Sequence, residues 1–420
     1  MITLICLILI FIASYMLIKE YLVALKGSRI KLTRNYNDPS FAIIIPARDE
    51  SLVISNLLDS IKRQSIEINP KDIYIIVESK KDKTVEIAKS RNINIVYRRD
   101  LTKKRKGYAI DDAVKKILKS KKHYDMYFIF DADNILDRNF FKEMIKSYKK
   151  GYDIGIGYRN TKNGNSNIYS AASSLTFSMI NTFSNNYKVK HNLTLTVSGT
   201  GFYIKGEILE KLGGYPFNSL TEDYELSLYA VLNNLTSTYN TKAKYFDEQP
   251  TSYSVTIKQR TRWVKGYFTS RSKYYPLLKE KLKKKDANYP SVYITLVGVK
   301  PYILLVISVI LYLANLIYRI ISNSIIKIEI TSLLSQFFII ILFIYLVLVI
   351  FTGILLIKEK DNLRLNRKMK VKVLFYNPIF LASYVKCLYL ALRNKDIEWA
   401  KIEHSDNISL EELNNGKNSR

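Results

Sequence analysis

Long apolar runs near both ends of this 420-residue chain constrain its fold more than any other feature. Met1 to Ile18 is nearly all apolar, and two further runs, Pro301 to Ile321 and Ser332 to Ile357, are as clean. Each is long enough to cross about 30 Å of hydrocarbon as a helix. In lipid a backbone must satisfy its own hydrogen bonds, so an isolated crossing segment has to be helical. A fourth run, Val373 to Leu392, is interrupted by Asn377, Pro378 and Lys386 and reads as interfacial or re-entrant as readily as spanning. The organisation expected is a membrane helix over 1–18, a soluble domain over 38–285, a membrane region over 286–393 and a tail over 394–420.

Charge orients these segments. The formal net charge is +28, from 65 Lys+Arg against 37 Asp+Glu. The excess crowds beside the apolar runs, at Lys19, Lys26, Arg29, Lys31 and Arg34, and again from Arg271 to Lys285. Basic clusters of this kind are drawn to anionic lipid, and no zinc-finger spacing or aromatic ribonucleoprotein motif accompanies them, so nucleic acid is not the expected partner. The positive-inside rule puts the N-terminus outside and the soluble domain in the cytosol of a multi-pass cell-membrane protein. A cleaved signal peptide would carry its charge before the first run, not after it. With the soluble domain cytosolic, the sequons Asn192-Leu193-Thr194 and Asn234-Leu235-Thr236 are chance matches. Only Cys6 and Cys387 occur, both in apolar runs, which excludes a disulfide framework.

The first half of the soluble part alternates short β-branched and aromatic runs with helical patterns. Strands are expected at Phe41–Ile45, Ile73–Val77, Ile93–Tyr97 and Tyr127–Asp131, with helices at Ser51–Gln64, Val85–Ser90 and Tyr108–Leu118 between them. This is the pattern of an α/β domain with a mostly parallel sheet covered on both faces. Ligands of such sheets bind beyond the carboxyl ends of the strands.

Polar residues stand at those ends: Pro46-Ala47-Arg48-Asp49-Glu50, then Glu78 to Thr84, then Asp131-Ala132-Asp133. Asp49 and Asp82 could simply cap the helices that follow. Asp131 and Asp133 are harder to explain as caps, because two carboxylates at the mouth of a buried strand need a cation. Mg²⁺ or Mn²⁺, which typically takes one or two carboxylates plus substrate phosphates, fits them. Further on, Thr221 is placed to cap a helix from Glu222 to Asn233, leaving Asp223 in its first turn either as an ordinary helix-start carboxylate or as a general base. In Gln259-Arg260-Thr261-Arg262-Trp263 the two arginines point in different directions on a helix, whereas Gln259 and Arg262 share a face. Such a helix also suits a membrane interface, with Trp263 at headgroup level.

Taken in order, these segments resemble the family-2 glycosyltransferases, specifically the membrane-embedded branch that includes cellulose, hyaluronan and poly-N-acetylglucosamine synthases. The matching segments are Ile45 to Glu50, Lys106 to Ala109, Phe130 to Asn134, Gly199 to Phe202, Leu220 to Asp223, Asp247 to Ser252 and Gln259 to Trp263, with a looser continuation to Ile397-Glu398-Trp399 and His404. The resemblance implies a GT-A-type domain binding a UDP-sugar. Ala47, Glu50, Glu78, Asp82 and Lys106 would lie at the nucleotide-sugar, and Asp131 and Asp133 at the diphosphate and metal. Asp223 would act as the base. Gly201, Glu222, Gln259, Arg262 and Trp263 would line the diphosphate and acceptor entrance. Glu78 stands where the family usually has Asp, and Lys80-Lys81 replaces small polar residues.

One base and a metal-held leaving group imply a single displacement with inversion. The leading expectation is a processive β-glycosyltransferase extending a polysaccharide, and the alternative is one transfer to a diacylglycerol or polyprenyl-linked acceptor. The few clean spans suggest an accessory subunit or a second copy for a polymer channel. A transporter would need repeats or midplane polar residues. A scaffold without catalysis would have lost one of Asp131, Asp133 and Asp223, all of which are present.

Overall fold

The computed structural model describes residues 2–322 and 327–394. The expected tail, with Ile397-Glu398-Trp399 and His404, lies outside the described residues.

One eight-stranded mixed sheet organises the soluble part, in the order β3-β2-β1-β4-β7-β6-β8-β5. Its strands are β1 Phe41–Pro46, β2 Ile73–Val77, β3 Asn94–Tyr97, β4 Met126–Ile129, β5 Ile135–Leu136, β6 Ile154–Thr161, β7 Phe202–Lys205 and β8 Ser237–Asp247. β1 to β4 are parallel, as continuous apolar runs separated by helices require. β7 then runs antiparallel to both β4 and β6, and β6 pairs in parallel with β8. This switch makes the sheet mixed, with parallel pairs in the majority.

Helices cover both faces: α1 Ile2–Lys26, α2 Ile54–Lys62, α3 Thr84–Ser90, α4 Lys106–Lys119, α5 Phe140–Lys149, α6 Ile168–Met179, α7 Asn186–Lys190, α8 Gly206–Leu212, α9 Glu222–Leu232, α10 Tyr253–Lys284, α11 Tyr289–Val297, α12 Lys300–Ser322, α13 Lys327–Lys358 and α14 Arg367–Arg393. On one face α4 packs Ile110, Val114 and Ile117 against Ile44, Ile76 and Ile129. On the other, α2 and α5 bury Leu57, Ile61, Phe140 and Phe141 against Ile43, Ile75 and Phe128. Phe128 and Phe141 meet edge to face at 4.8 Å, a favourable aromatic geometry.

Several expected boundaries shift. β4 ends at Ile129, two residues early, so Asp131 stands in the loop beyond the sheet. α2 starts at Ile54 because Ser51 to Val53 form a turn. Thr221 occupies the position before α9 but makes no capping bond, and its hydroxyl is buried without a partner. Glu225 instead pins the loop leading into α9 by accepting from the amides of Asn218 and Ser219, each at 3.0 Å.

Among the described residues, four helical segments are long and apolar enough to cross a membrane: Ile2–Lys26, Tyr289–Ser322, Thr331–Lys358 and Arg367–Arg393. Pro378 does not break the last, which runs as one helix. The turn between α13 and α14 is fastened to the sheet. Buried Glu359 accepts from the hydroxyls of Tyr158 and Thr182, and Asn160 Nδ2 donates to Asn362 O at 2.7 Å.

Candidate active site

The sheet places polar residues of five strands around one cleft of about 1170 Å³. From β1 come Ala47, Arg48 and Glu50; after β2 comes Glu78; after β4 come Asp131 and Asp133; from β6 and β8 come Arg159, Asp247 and Glu248. Helices supply the rest: Lys106 from the start of α4, Glu222 and Asp223 from α9, and Gln259, Arg262 and Trp263 from α10.

Lys106 ties two walls together. Its ammonium donates to Asp131 Oδ1 at 2.5 Å and to Gly199 O at 2.7 Å. Burial disfavours the charge, but Asp131 and Glu222 more than offset this and its pKa is raised. The loop carrying Asp131 is fixed from behind, because Thr200 Oγ1 accepts from the Asp131 amide at 2.8 Å. The Asp131 side chain remains 41% exposed to the cleft. Asp133 is held harder: Oδ2 accepts from the Glu248 amide and Oδ1 from Asn134 Nδ2, each at 3.1 Å.

Behind Asp133 lies a sealed ion pair. Lys162 Nζ stands 3.2 Å from Glu248 Oε2, with side chains 1% and 6% exposed, and also donates to Asp133 O at 3.2 Å. A second pair stands beside it. Arg159 Nε donates to Asp247 Oδ2 at 2.7 Å and Nη1 to Ser198 O at 2.8 Å, while the guanidinium lies 3.7 Å over the Phe177 ring. The parallel register of β6 and β8, with Thr161 opposite Asp247, brings these four residues to one edge. Asp247 Oδ1 is buried without a partner, and burial raises the pKa of this carboxyl despite Arg159.

Asp223 faces this edge from α9. Its Oδ1 accepts from the Tyr224 amide at 2.8 Å. The opposing loop approaches closely at Gly199, where a Cβ would sit 3.6 Å from Asp223 Oδ2 and the backbone is left-handed at φ +83°. Only glycine adopts that conformation without strain. Burial pushes the Asp223 carboxyl upward, and burial together with Asp223 pushes Glu222 up to about 7. Arg262 Nη1 donates to Leu220 O at 2.9 Å, and Trp263 meets Phe177 edge to face at 6.0 Å.

Two sequence-predicted residues do not reach the cleft. Asp82 is buried, and its oxygens accept from the amides of Asp49 and Thr84, both at 2.8 Å. It caps α3 and clamps the β1 loop, which is the bland role its position at a helix start allows. Gly201 lies beneath the site: its amide donates to Ile129 O at 2.9 Å, and a Cβ there would strike the Tyr245 ring. Gly199 lines the cleft instead. Arg260 turns away from Arg262, as the two-residue spacing requires, and is sealed under Phe380 and Tyr384 at 3.7 and 4.5 Å. Arg159 and Lys162 carried no local signature. Asp247 and Glu248 sat in a matching segment without an assigned role.

The residues present suit a divalent cation. Among the described residues no group of three His, Cys, Asp or Glu is arranged to hold a metal. The protein thus offers the Asp131 and Asp133 pair, with oxygens still able to accept, and leaves other positions to phosphate and water. That is the pattern Mg²⁺ and Mn²⁺ favour.

Residues 39–266, just over half of the chain, match the model of glycosyltransferase-like family 2, and the chain belongs to that family. The "Probable glycosyltransferase YdaM" of Bacillus subtilis (strain 168) is 24% identical over 247 residues, 54% of this chain and 55% of that protein. The chain therefore spans about half the length of this curated relative. Among solved structures, the mannosyltransferase PcManGT of Pyrobaculum calidifontis, in complex with GDP-Man and Mn²⁺, superposes with a TM-score of 0.55 at 14% identity. The match covers 94% of this chain and all of that one, and at this identity it shows a shared fold alone. These likenesses do not separate out the cellulose- and hyaluronan-synthase branch.

Proposed function

We propose that this chain is a membrane-bound, metal-assisted, inverting glycosyltransferase that moves a sugar from a nucleoside diphosphate-sugar, expected to be a UDP-sugar, to an acceptor hydroxyl at Asp223. The observation that carries the reading is one cleft lined together by Glu50, Glu78, Asp131, Asp133, Asp223, Arg262 and Trp263. The nucleotide lies along the ends of β1 and β2, and the diphosphate at Asp131, Asp133 and Lys106. Mg²⁺ or Mn²⁺, held by Asp131 and Asp133, supplies charge neutralisation of the departing diphosphate.

Asp223 accepts the proton of the acceptor hydroxyl. The acceptor oxygen then bonds to the anomeric carbon, the bond from that carbon to the phosphate oxygen breaks, and the diphosphate leaves with the electron pair. Arg262 adds a cation on the leaving-group side, and the Arg159–Asp247 pair fixes Phe177 and hence Trp263 beside the acceptor. A growing polysaccharide and a glycolipid acceptor share this chemistry.

The test is purified full-length protein with a panel of UDP- and GDP-sugars and Mg²⁺ or Mn²⁺. Nucleoside diphosphate release should be abolished by EDTA and by Asp133→Asn in a folded protein. Full turnover of that variant in chelator would remove the metal from the scheme, and failure to bind or turn over any donor would remove the reading.

A further inference from the structure

α14 is long enough to span a bilayer, yet the soluble domain holds it from end to end. Before its first turn, the Asn366 amide donates to Asn165 Oδ1 at 2.9 Å. At mid-length Phe380 and Tyr384 stack on Arg260 of α10, and Val373 and Phe380 pack with Ala171, Ala172 and Leu175 of α6. Past Cys387, Lys265 Nζ of α10 reaches the carbonyls of Ala391 at 3.1 Å and Asn394 at 3.0 Å. A spanning helix parts its ends across about 30 Å of hydrocarbon. Here both ends are hydrogen-bonded to one domain.

The opposite face of α14 is an apolar stripe. Val371, Phe375, Ile379, Val385, Tyr389 and Leu392 are 45–70% exposed and recur at helical spacing. The helix contains no acidic residue; Arg367, Lys368, Lys370 and Lys372 flank one end, and Lys386 and Arg393 the other. An apolar stripe with basic flanks, continuous with helices able to cross a membrane, fits a helix lying in the plane of an anionic bilayer surface.

This helix also walls the active-site cleft. Tyr384, Leu390 and Asn394 line the same cavity as Asp223, across from Phe177, Ile180, Val255 and Ile257. The apolar part of the cleft lining thus includes α14, whose other face meets the proposed bilayer surface. With α14 in plane, three helical segments among the described residues remain to cross. The first is joined to α12, where Cys6 Sγ contacts Ser308 O at 3.5 Å and Ser308 Oγ donates to Cys6 O at 3.1 Å. Three helices packed at the usual 8–10 Å, roughly, leave no central lumen for a sugar chain.

We propose that the acceptor is a membrane lipid, which reaches the cleft at its α14 wall with its chains against Tyr384 and Leu390 and takes one sugar on a headgroup oxygen. This rests on the transferase reading above and chooses between its two acceptors. The bond changes are those already written, with the lipid oxygen as nucleophile: a lipid hydroxyl passes its proton to Asp223, whereas an ionised lipid phosphate attacks without one.

The full chain is reconstituted in phosphatidylcholine–phosphatidylglycerol vesicles, doped in separate arms with diacylglycerol or polyprenyl phosphate, and given radiolabelled UDP-glucose, UDP-N-acetylglucosamine or GDP-mannose. Label should enter the organic phase as a lipid bearing one sugar, and the productive arm identifies the headgroup. Leu390→Lys should raise the KM for that lipid at least tenfold and leave UDP or GDP affinity within about twofold. Label in a water-soluble polymer, donor turnover that labels neither lipid, or an unchanged KM in Leu390→Lys would overturn the inference and leave the transferase reading standing. No nucleotide binding and no turnover would sink both. A second measurement needs no substrate. Val371→Trp, Ile379→Trp and Tyr389→Trp, read as increments over wild-type emission, should all be quenched by shallow brominated lipid. A deep site at Ile379 between two shallow ones means a spanning helix, and no quenching means that protein covers the stripe; either result overturns the proposal.

Discussion

The two ends of the cleft hold their charges differently. At the nucleotide end the ions stand open: Arg48 and Glu78 pair at 3.2 Å with side chains 41% and 29% exposed. Behind Asp133 and Ser198, Arg159 and Asp247 are 14% and 3% exposed, and Lys162 and Glu248 are more completely sealed. An exposed pair contributes roughly 0–1 kcal/mol, and its members remain free to re-pair with a ligand. A buried pair contributes little net stability, but its geometry is fixed because breaking it strands a charge. The open pair can therefore exchange partners when a charged ligand enters, whereas the sealed pairs hold Phe177 and Asp133 in place.

The sharpest way to break this contrast is at Asp223, on the rigid side. Asp223→Asn keeps the shape and removes the proton acceptor, so kcat should fall by about 10² to 10⁴. Affinity for the nucleoside diphosphate, titrated on the same variant, should match wild type, because the proposed base contacts the acceptor hydroxyl and not the nucleotide. Lost nucleotide binding with turnover retained at saturating donor would make Asp223 a donor-site residue and place the base elsewhere.

Next comes the pair of ion pairs. Arg159→Met leaves Asp247 buried with one oxygen already unpartnered, and should lower stability by about 3–5 kcal/mol in denaturant unfolding. Arg48→Met, at an exposed pair, should cost less than about 1 kcal/mol. Equal losses would show that exposure does not separate the two ends.

The same contrast explains what could be read from sequence. The nucleotide end is made of strand–loop–helix units in which each functional residue directly follows its strand, so Glu50, Glu78, Asp131 and Asp133 could be named from local pattern, and they line one cleft. Asp82, in the same region, does not line the cleft, and local pattern could not show this because it does not distinguish a carboxylate aimed at a ligand from one aimed at two amides. At the acceptor end the partners are distant: Arg159 meets Asp247 across 88 positions. Arg159 lies within a strand whose other residues give no hint of a charged neighbour. The helical phase of α10 did separate Arg262 from Arg260. The run that became α14 stayed ambiguous because hydropathy reports how apolar a segment is, whereas its placement depends on Asn165, Arg260 and Lys265, far away in sequence.

A smaller effect probes the boundary between the two ends. Arg262 reaches from α10 toward the donor side and bonds only one carbonyl, Leu220 O, among the hydrogen bonds described. If it also takes a phosphate oxygen, Arg262→Ala should weaken nucleoside diphosphate binding by roughly ten- to a hundredfold, the worth of a charge-assisted hydrogen bond. Stability should barely move, in contrast to Arg159→Met. Unchanged binding would assign Arg262 to the acceptor alone.

The mildest test is pH. Burial raises the Asp223 carboxyl, and burial with the neighbouring Asp223 charge lifts Glu222 to about 7. A base must be deprotonated to work, so the rate should fall as pH drops through the titration of this pair, by at most about tenfold per pH unit. Two interacting carboxyls titrate together, so the limb belongs to the pair and not to either residue. Lys106 and Arg262 both act to lower Asp223. Removing the Arg262 charge should therefore carry the acid limb of Arg262→Ala to higher pH than wild type, measured as kcat at saturating donor so that weakened binding does not intrude. A limb that stays in place would mean that Arg262 does not feel the proton on this pair, and its charge would then serve only the departing phosphate.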